Sequence, residues 1–263
     1  MFRSGPLFLG RSFLFLSFLA IIFGICIPET YGDVNGLREK SMTFSGLTLP
    51  PASGGKPDSI VVLFHGYGDM GETFLSLGAL WGERLPNTLF IAPDGPIACK
   101  DILSGKQWLR ASSQNRAQVL KEMKWLEPSL NRYLDDLLKT HGIPPEKLAL
   151  VGFSQGVKIA LHVGLHRPSC AGIVGYSGVF ENDPTASNLS RPPVLLVHGL
   201  EDSKAPSSLA REAHKNLEAL HIPVTLFLFP GLGHDIDARG LTIGGEFLKE
   251  CFYSPNDVLK RMR

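Results

Sequence analysis

Short apolar runs recur along this chain: Ile60–Phe64, Leu89–Ala92, Leu148–Val151, Gly172–Tyr176, Val194–Val197 and Val224–Phe229. Each is rich in Val, Ile, Leu or Phe and stops at Gly, Pro, Asp or His. A strand with one wet face alternates apolar and polar residues; near-continuous apolar strands belong to a sheet buried on both faces, as parallel sheets are. Longer stretches lie between them, at about 73–84, 117–140, 155–166, 205–220 and 242–252, and these read as helices. In the second, Leu120, Trp125, Leu130, Leu134 and Leu138 are spaced among charged residues as an amphipathic helix requires. Pro128 should kink or interrupt it. Trp81 and Trp125 read as core residues. Strand–helix alternation predicts a doubly wound α/β fold, mostly parallel with helices on both faces. Ligands of such sheets bind at the C-terminal ends of the strands.

The chain has 263 residues, enough for one large α/β domain. A net charge of +1 provides no global attraction to nucleic acid or to an anionic membrane. Residues 1–32 differ from the rest. Arg3 and Arg11 precede an apolar run over residues 13–27, and Pro28, Thr30 and Gly32 follow. This is the layout of a secretory signal. The run is shorter than the about 20 residues of a spanning helix, so membrane attachment through 13–27 is the alternative. The expectation is a secreted or periplasmic protein whose folded domain is 33–263. The cysteines at 26, 99, 170 and 251 lack the close spacing of a zinc set and read as buried apolar residues or one incidental disulfide.

The chemistry-bearing segment is Gly152-Phe153-Ser154-Gln155-Gly156. It follows an expected strand and opens an expected helix. A serine on a sharp strand-to-helix turn projects its hydroxyl off the sheet, as the nucleophile of an α/β-hydrolase does. The helix N-terminus brings free N–H groups to the reacting oxygen. The motif alone is weak, and its context carries the weight. His234 follows the run Val224–Phe229 and is placed to take the Ser154 proton. Asp202 follows Val194–Val197 and is placed to orient that histidine. The order Ser154, Asp202, His234 is the one this fold uses. Glu201 stays open as an alternative acid. For the oxyanion hole, the backbone N–H groups of Gln155 and of Tyr67, in His65-Gly66-Tyr67-Gly68-Asp69, are assigned. His65 is read as support for that loop. Residues 93–116 fit no element and should border the site, with Trp108 either a loop anchor or a wall of the substrate pocket.

Together, Leu63-Phe64-His65-Gly66-Tyr67-Gly68-Asp69, Gly152-Phe153-Ser154-Gln155-Gly156, His198-Gly199-Leu200-Glu201-Asp202 and Gly233-His234 resemble the phospholipase/carboxylesterase family, which includes the acyl-protein thioesterases. Pro93, Gln107-Trp108 and Pro206 fit the same pattern. The resemblance covers roughly residues 45–250. It implies hydrolysis of carboxylic esters, thioesters or lysophospholipids without a cofactor, acting on a small ester or lipid-like partner. One departure is visible. The family continues Gly-Gly-Ala after the Ser-Gln pair, and this chain has Gly156-Val157-Lys158. A secretory start also differs from many cytosolic relatives and favours a lipid or small-ester substrate.

Two other patterns compete. Gly66-x-Gly68-x-x-Gly71, with Asp94 further on, outlines a dinucleotide fingerprint and hence an NAD-type oxidoreductase. His65 before the first glycine opposes it, and it leaves the Ser-Asp-His set unexplained. A non-catalytic binding protein on the hydrolase fold is the remaining alternative. His162 and His166 have the i, i+4 spacing of metal ligands, but no acid accompanies them in a HExxH pattern. A packing role is expected there, and no metal.

Overall fold

The structure is a computed structural model that describes residues 42–110 and 115–255. Its strands are β1 (Gly46–Leu49), β2 (Ser59–Phe64), β3 (Thr88–Pro93), β4 (Ile97–Ala98), β5 (Lys106–Gln107), β6 (Leu148–Phe153), β7 (Gly172–Tyr176), β8 (Val194–Gly199) and β9 (Val224–Phe229). Its helices are α1 (Gly71–Phe74), α2 (Ser76–Trp81), α3 (Arg116–His141), α4 (Gln155–His166), α5 (Ser207–Ala219) and α6 (Ala238–Tyr253). The expected apolar runs are all strands of one seven-stranded sheet, in the order β1-β3-β2-β6-β7-β8-β9. Every pairing in it is parallel except β1 with β3. The segment expected as a secretory signal lies outside the described residues. No described helix is long and apolar enough to cross a membrane.

The sheet is buried on both faces, as its composition demands. Along β2, Val61 and Leu63 face one layer, and Ile60, Val62 and Phe64 face the other. The first layer is closed by Phe74, Trp81, Phe247 and Leu248 of α1, α2 and α6. The second is closed by α3, α4 and α5 through Leu126, Leu130, Leu161, Val163 and Leu217. Helix α4 is buried from Gly156 to Leu165, with the sheet beneath it and α3 over it.

Two readings of α3 need correction. The helix runs through Pro128 without interruption. Pro128 lies on the exposed side, where water can take the carbonyl that its missing N–H leaves free. Trp125 is not core. It is 48% exposed, one position off the face that buries Leu126 and Leu130. The helix ends are well made. The Asn115 side chain accepts from Gln118 N at 3.1 Å, and Gly142 closes the far end at φ 66°.

Because Pro128 costs a helical hydrogen bond and its side chain is exposed, Pro128→Ala should raise stability by about 1–3 kcal/mol. Thermal melts read this directly, and an unchanged or lower Tm would show that the proline is needed where it stands.

Candidate active site

The strand-to-helix turn at Ser154 has an unusual backbone. Ser154 sits at φ 53°, ψ −114°, a region costly for a residue with a Cβ. Its glycine neighbours make this possible. A Cβ on Gly156 would lie 1.9 Å from the Phe64 carbonyl oxygen, and one on Gly152 would lie 2.4 Å from the Gly156 carbonyl oxygen. Helix α4 can approach β2 and β6 this closely only with glycine at both places. The Ser154 side chain does not cap the helix.

The hydroxyl instead meets His234. Ser154 Oγ is 3.0 Å from His234 Nε2, and His234 Nδ1 is 2.8 Å from Asp202 Oδ2. The other Asp202 oxygen accepts the N–H groups of Lys204 and Ala205 at 2.9 and 2.8 Å. Burial alone would raise the Asp202 pKa. The Ala205 N–H and the rings of His234 and His198 outweigh it, and the value falls below the ordinary one. Glu201 is turned away, its carboxylate accepting from Gly231 N at 2.7 Å. His198 is a further member of this group that the sequence does not predict. Its Nε2 lies 2.7 Å from the Ala205 carbonyl oxygen and 3.2 Å from Asp202 Oδ2, so it braces the turn that carries the acid. The signal was its i, i+4 spacing to Asp202.

Tyr67 and Gln155 both line a cavity of about 380 Å³ with Ser154 and His234. The Gln155 N–H begins α4 and has no intrahelical partner. The Tyr67 N–H takes no backbone partner among the described residues. The loop carrying Tyr67 is held by His65, which is fully buried. The His65 Nδ1–H donates to the Gly66 carbonyl at 2.7 Å, and Nε2 accepts from Gly95 N at 2.9 Å. Burial lowers the His65 pKa and keeps the ring neutral, as that donor–acceptor pattern requires.

Trp108 is placed as a loop anchor and does not line the cavity. It is 1% exposed, edge-on to Phe64, and its Nε1–H donates to the His65 carbonyl at 3.0 Å. Gln107, Leu109 and Arg110 supply the wall that the 93–116 segment was expected to give. The Gln155 side chain clamps that segment, accepting from Trp108 N at 2.7 Å and donating to the Leu109 carbonyl at 3.0 Å. Apolar walls come from Leu109, Val119 and Val179. Three cations also line the cavity. Arg110 and Lys204 are exposed at its outer edge. Lys158 is buried in an ion pair with Glu181, which also meets Arg116 at 3.4 Å.

The dinucleotide pattern does not form a phosphate cradle. Asp94, its expected ribose acid, accepts the Gly71 N–H at 2.8 Å, and α1 is a single short turn. His162 and His166 lie further along α4, away from the cavity. There α3 brings Glu127 to them, a carboxylate no local pattern on α4 contained.

The sequence pattern of the phospholipase/carboxylesterase family matches residues 51–252. The chain belongs to that family. Acyl-protein thioesterase 1 of Gibberella zeae is 26% identical over 228 residues, 78% of this chain and 94% of its own. Esterase YpfH of Escherichia coli is 25% identical over 191 residues, 72% and 82% of the two chains. Among solved structures, esterase PE8 is 35% identical, with a TM-score of 0.75 over 80% of this chain and 100% of its own. Serine-dependent hydrolysis of carboxylic esters follows from that membership. Nothing in these comparisons supports an oxidoreductase.

A carboxylate with a lowered folded-state pKa stabilises the fold above its unfolded value of about 4. That contribution is lost as pH falls through the lowered value. Urea titrations from pH 5 downward should therefore show a steeper loss of stability in the parent than in Asp202→Asn. Parallel curves would remove the linkage.

Proposed function

We propose that this family member is a carboxylesterase working through an acyl-enzyme, with Ser154 as nucleophile, His234 as base and Asp202 as orienting acid. The observation that carries this is the unbroken hydrogen-bonded series from Asp202 through His234 to Ser154 Oγ, opening into the cavity. His234 Nε2 takes the hydroxyl proton as Oγ bonds to the substrate carbonyl carbon. The oxyanion is held by the N–H groups of Gln155 and Tyr67. The carbon–oxygen bond to the leaving group, or carbon–sulfur in a thioester, then breaks, and His234 returns the proton to that group. Water repeats the sequence, releasing the acid and restoring Ser154. Asp202 keeps the Nδ1–H tautomer and balances the imidazolium that forms twice per cycle.

The substrate class we favour is a small or single-chain ester bearing negative charge away from the scissile bond, as in a lysophospholipid. Leu109, Val119 and Val179 suit an acyl chain, and the exposed Arg110 and Lys204 suit an anion at the outer edge. We also propose that residues 1–32 direct export. N-terminal sequencing of the mature protein is expected to begin near residue 33; retention of residues 13–27 would favour a membrane anchor.

Ser154→Ala should lower kcat on a p-nitrophenyl ester by about 10⁴-fold or more and abolish labelling by a fluorophosphonate, with the fold intact. Asp202→Asn should lower kcat by about 10³–10⁴-fold, whereas Glu201→Gln should stay within about threefold of the parent. Substantial turnover in Ser154→Ala would overturn the assignment. Replacing Arg110 and Lys204 with alanine should raise KM more for an anionic ester than for its neutral analogue; equal effects would remove the charge preference.

A further inference from the structure

We infer that Glu127, His162 and His166 form a binding site for a late first-row divalent metal ion, Zn²⁺ foremost, between α3 and α4. The two histidines stand one turn apart on α4, with ring centroids 4.2 Å apart. Glu127 reaches them from α3, its Oε2 2.8 Å from His162 Nε2. One ligand atom from each of the three residues lies within 4.8 Å of the others. Tetrahedral zinc with bonds of about 2.0–2.1 Å sets its ligand atoms about 3.3 Å apart. Small side-chain rotations therefore bring the three onto one ion.

Two further observations distinguish this from an ordinary ion pair. His162 has a side chain only 3% exposed, and among the described residues its Nε2 meets only the Glu127 carboxylate, in a contact poorly directed for a hydrogen bond. The Glu127 oxygen lies beside this nitrogen without the direction of an N–H···O bond. A buried ring nitrogen held off-axis is better satisfied by a partner on its lone-pair axis. His166 is set for a ligand's role by its other nitrogen. Its Nδ1–H donates to the His162 carbonyl at 2.6 Å, which leaves the lone pair on Nε2 free. That is the backbone-oriented tautomer commonly found in metal-bound histidines.

The donor set selects the ion. Two imidazoles and one carboxylate suit zinc and its neighbours, whereas magnesium and calcium prefer oxygen alone. The side chain of Glu127 is 25% exposed and His166 is partly exposed, which gives the ion a path in and leaves a position for water. His162 follows Gln155 by about 10 Å along the helix axis. The ion would not touch reacting atoms. It would pin α3 to the helix that begins just after Ser154, and the inference stands independently of the triad assignment.

The full chain, freed of metal with a chelator, should bind about one equivalent of Zn²⁺ by calorimetry. Its Tm should rise by about 5–10 °C at a hundredfold excess over Kd. Co²⁺ should give the visible absorption of a tetrahedral centre, and Mg²⁺ and Ca²⁺ should do nothing. His166→Ala, at a partly exposed position, should lose the equivalent and the Tm rise while keeping its ester turnover. Glu127→Gln should weaken binding by at least about tenfold. His234→Ala should leave the equivalent in place. No binding by the parent, or binding unchanged in His166→Ala, would overturn the site.

Discussion

The closeness of α4 to the end of β2 governs this structure. With no Cβ at Gly156, the helix settles against the Phe64 carbonyl, and the chain entering it must turn sharply at Ser154. The cost of that backbone is of the order of 1–3 kcal/mol. It is met by burying nearly the whole helix between the sheet and α3. What surrounds Ser154 depends on this seat. The hydroxyl points to His234, the first N–H of the helix is left unpaired, and the Gln155 side chain is aimed at the loop that forms one wall of the cavity.

A second layer of polar contacts holds the partners around that turn. His65 ties the Tyr67 loop to Gly95, and Trp108 ties the same loop to the cavity wall. His198 and two backbone N–H groups hold the turn of Asp202. The cavity's boundary is thus joined to the ends of β2 and β8, two strands buried along their whole length.

The central strands were legible because burial on both faces leaves a continuous apolar run that no other element of that length needs. The edge strand β1 was not. Its Gly-Leu-Thr-Leu is largely exposed, and it is a strand only because β3 offers it partners. The short β4–β5 pair inside residues 93–110 was missed for the same reason. Trp125 and Pro128 misled because periodicity locates a helix better than it fixes the helix's rotation. Ser154, Asp202 and His234 stand out as candidates because each follows a strand, and the structure brings their side chains into one hydrogen-bonded series. The placement of Trp108 and the approach of Glu127 to His162 depend on contacts between separate elements, and no spacing in the sequence carries those. The sequence favours Asp202 over Glu201, and the structure turns Asp202 toward His234 and Glu201 toward Gly231.

The residues after Ser154 have a consequence for how such a site can change. Val157 fills space that its neighbours give up: a Cβ on Gly178 would lie 2.3 Å from it, and one on Gly175 would lie 2.9 Å away. Lys158 is matched in turn by Glu181, buried beside it. Exchanging Val157-Lys158 for the family's smaller pair would open a void against two glycines and leave the buried Glu181 with Arg116 alone, at 3.4 Å, a change that costs about a few kcal/mol. The five positions are therefore coupled. A smaller pair at 157–158 therefore calls for compensating changes at the two glycines and at Glu181, so the packing behind Ser154 changes as a block.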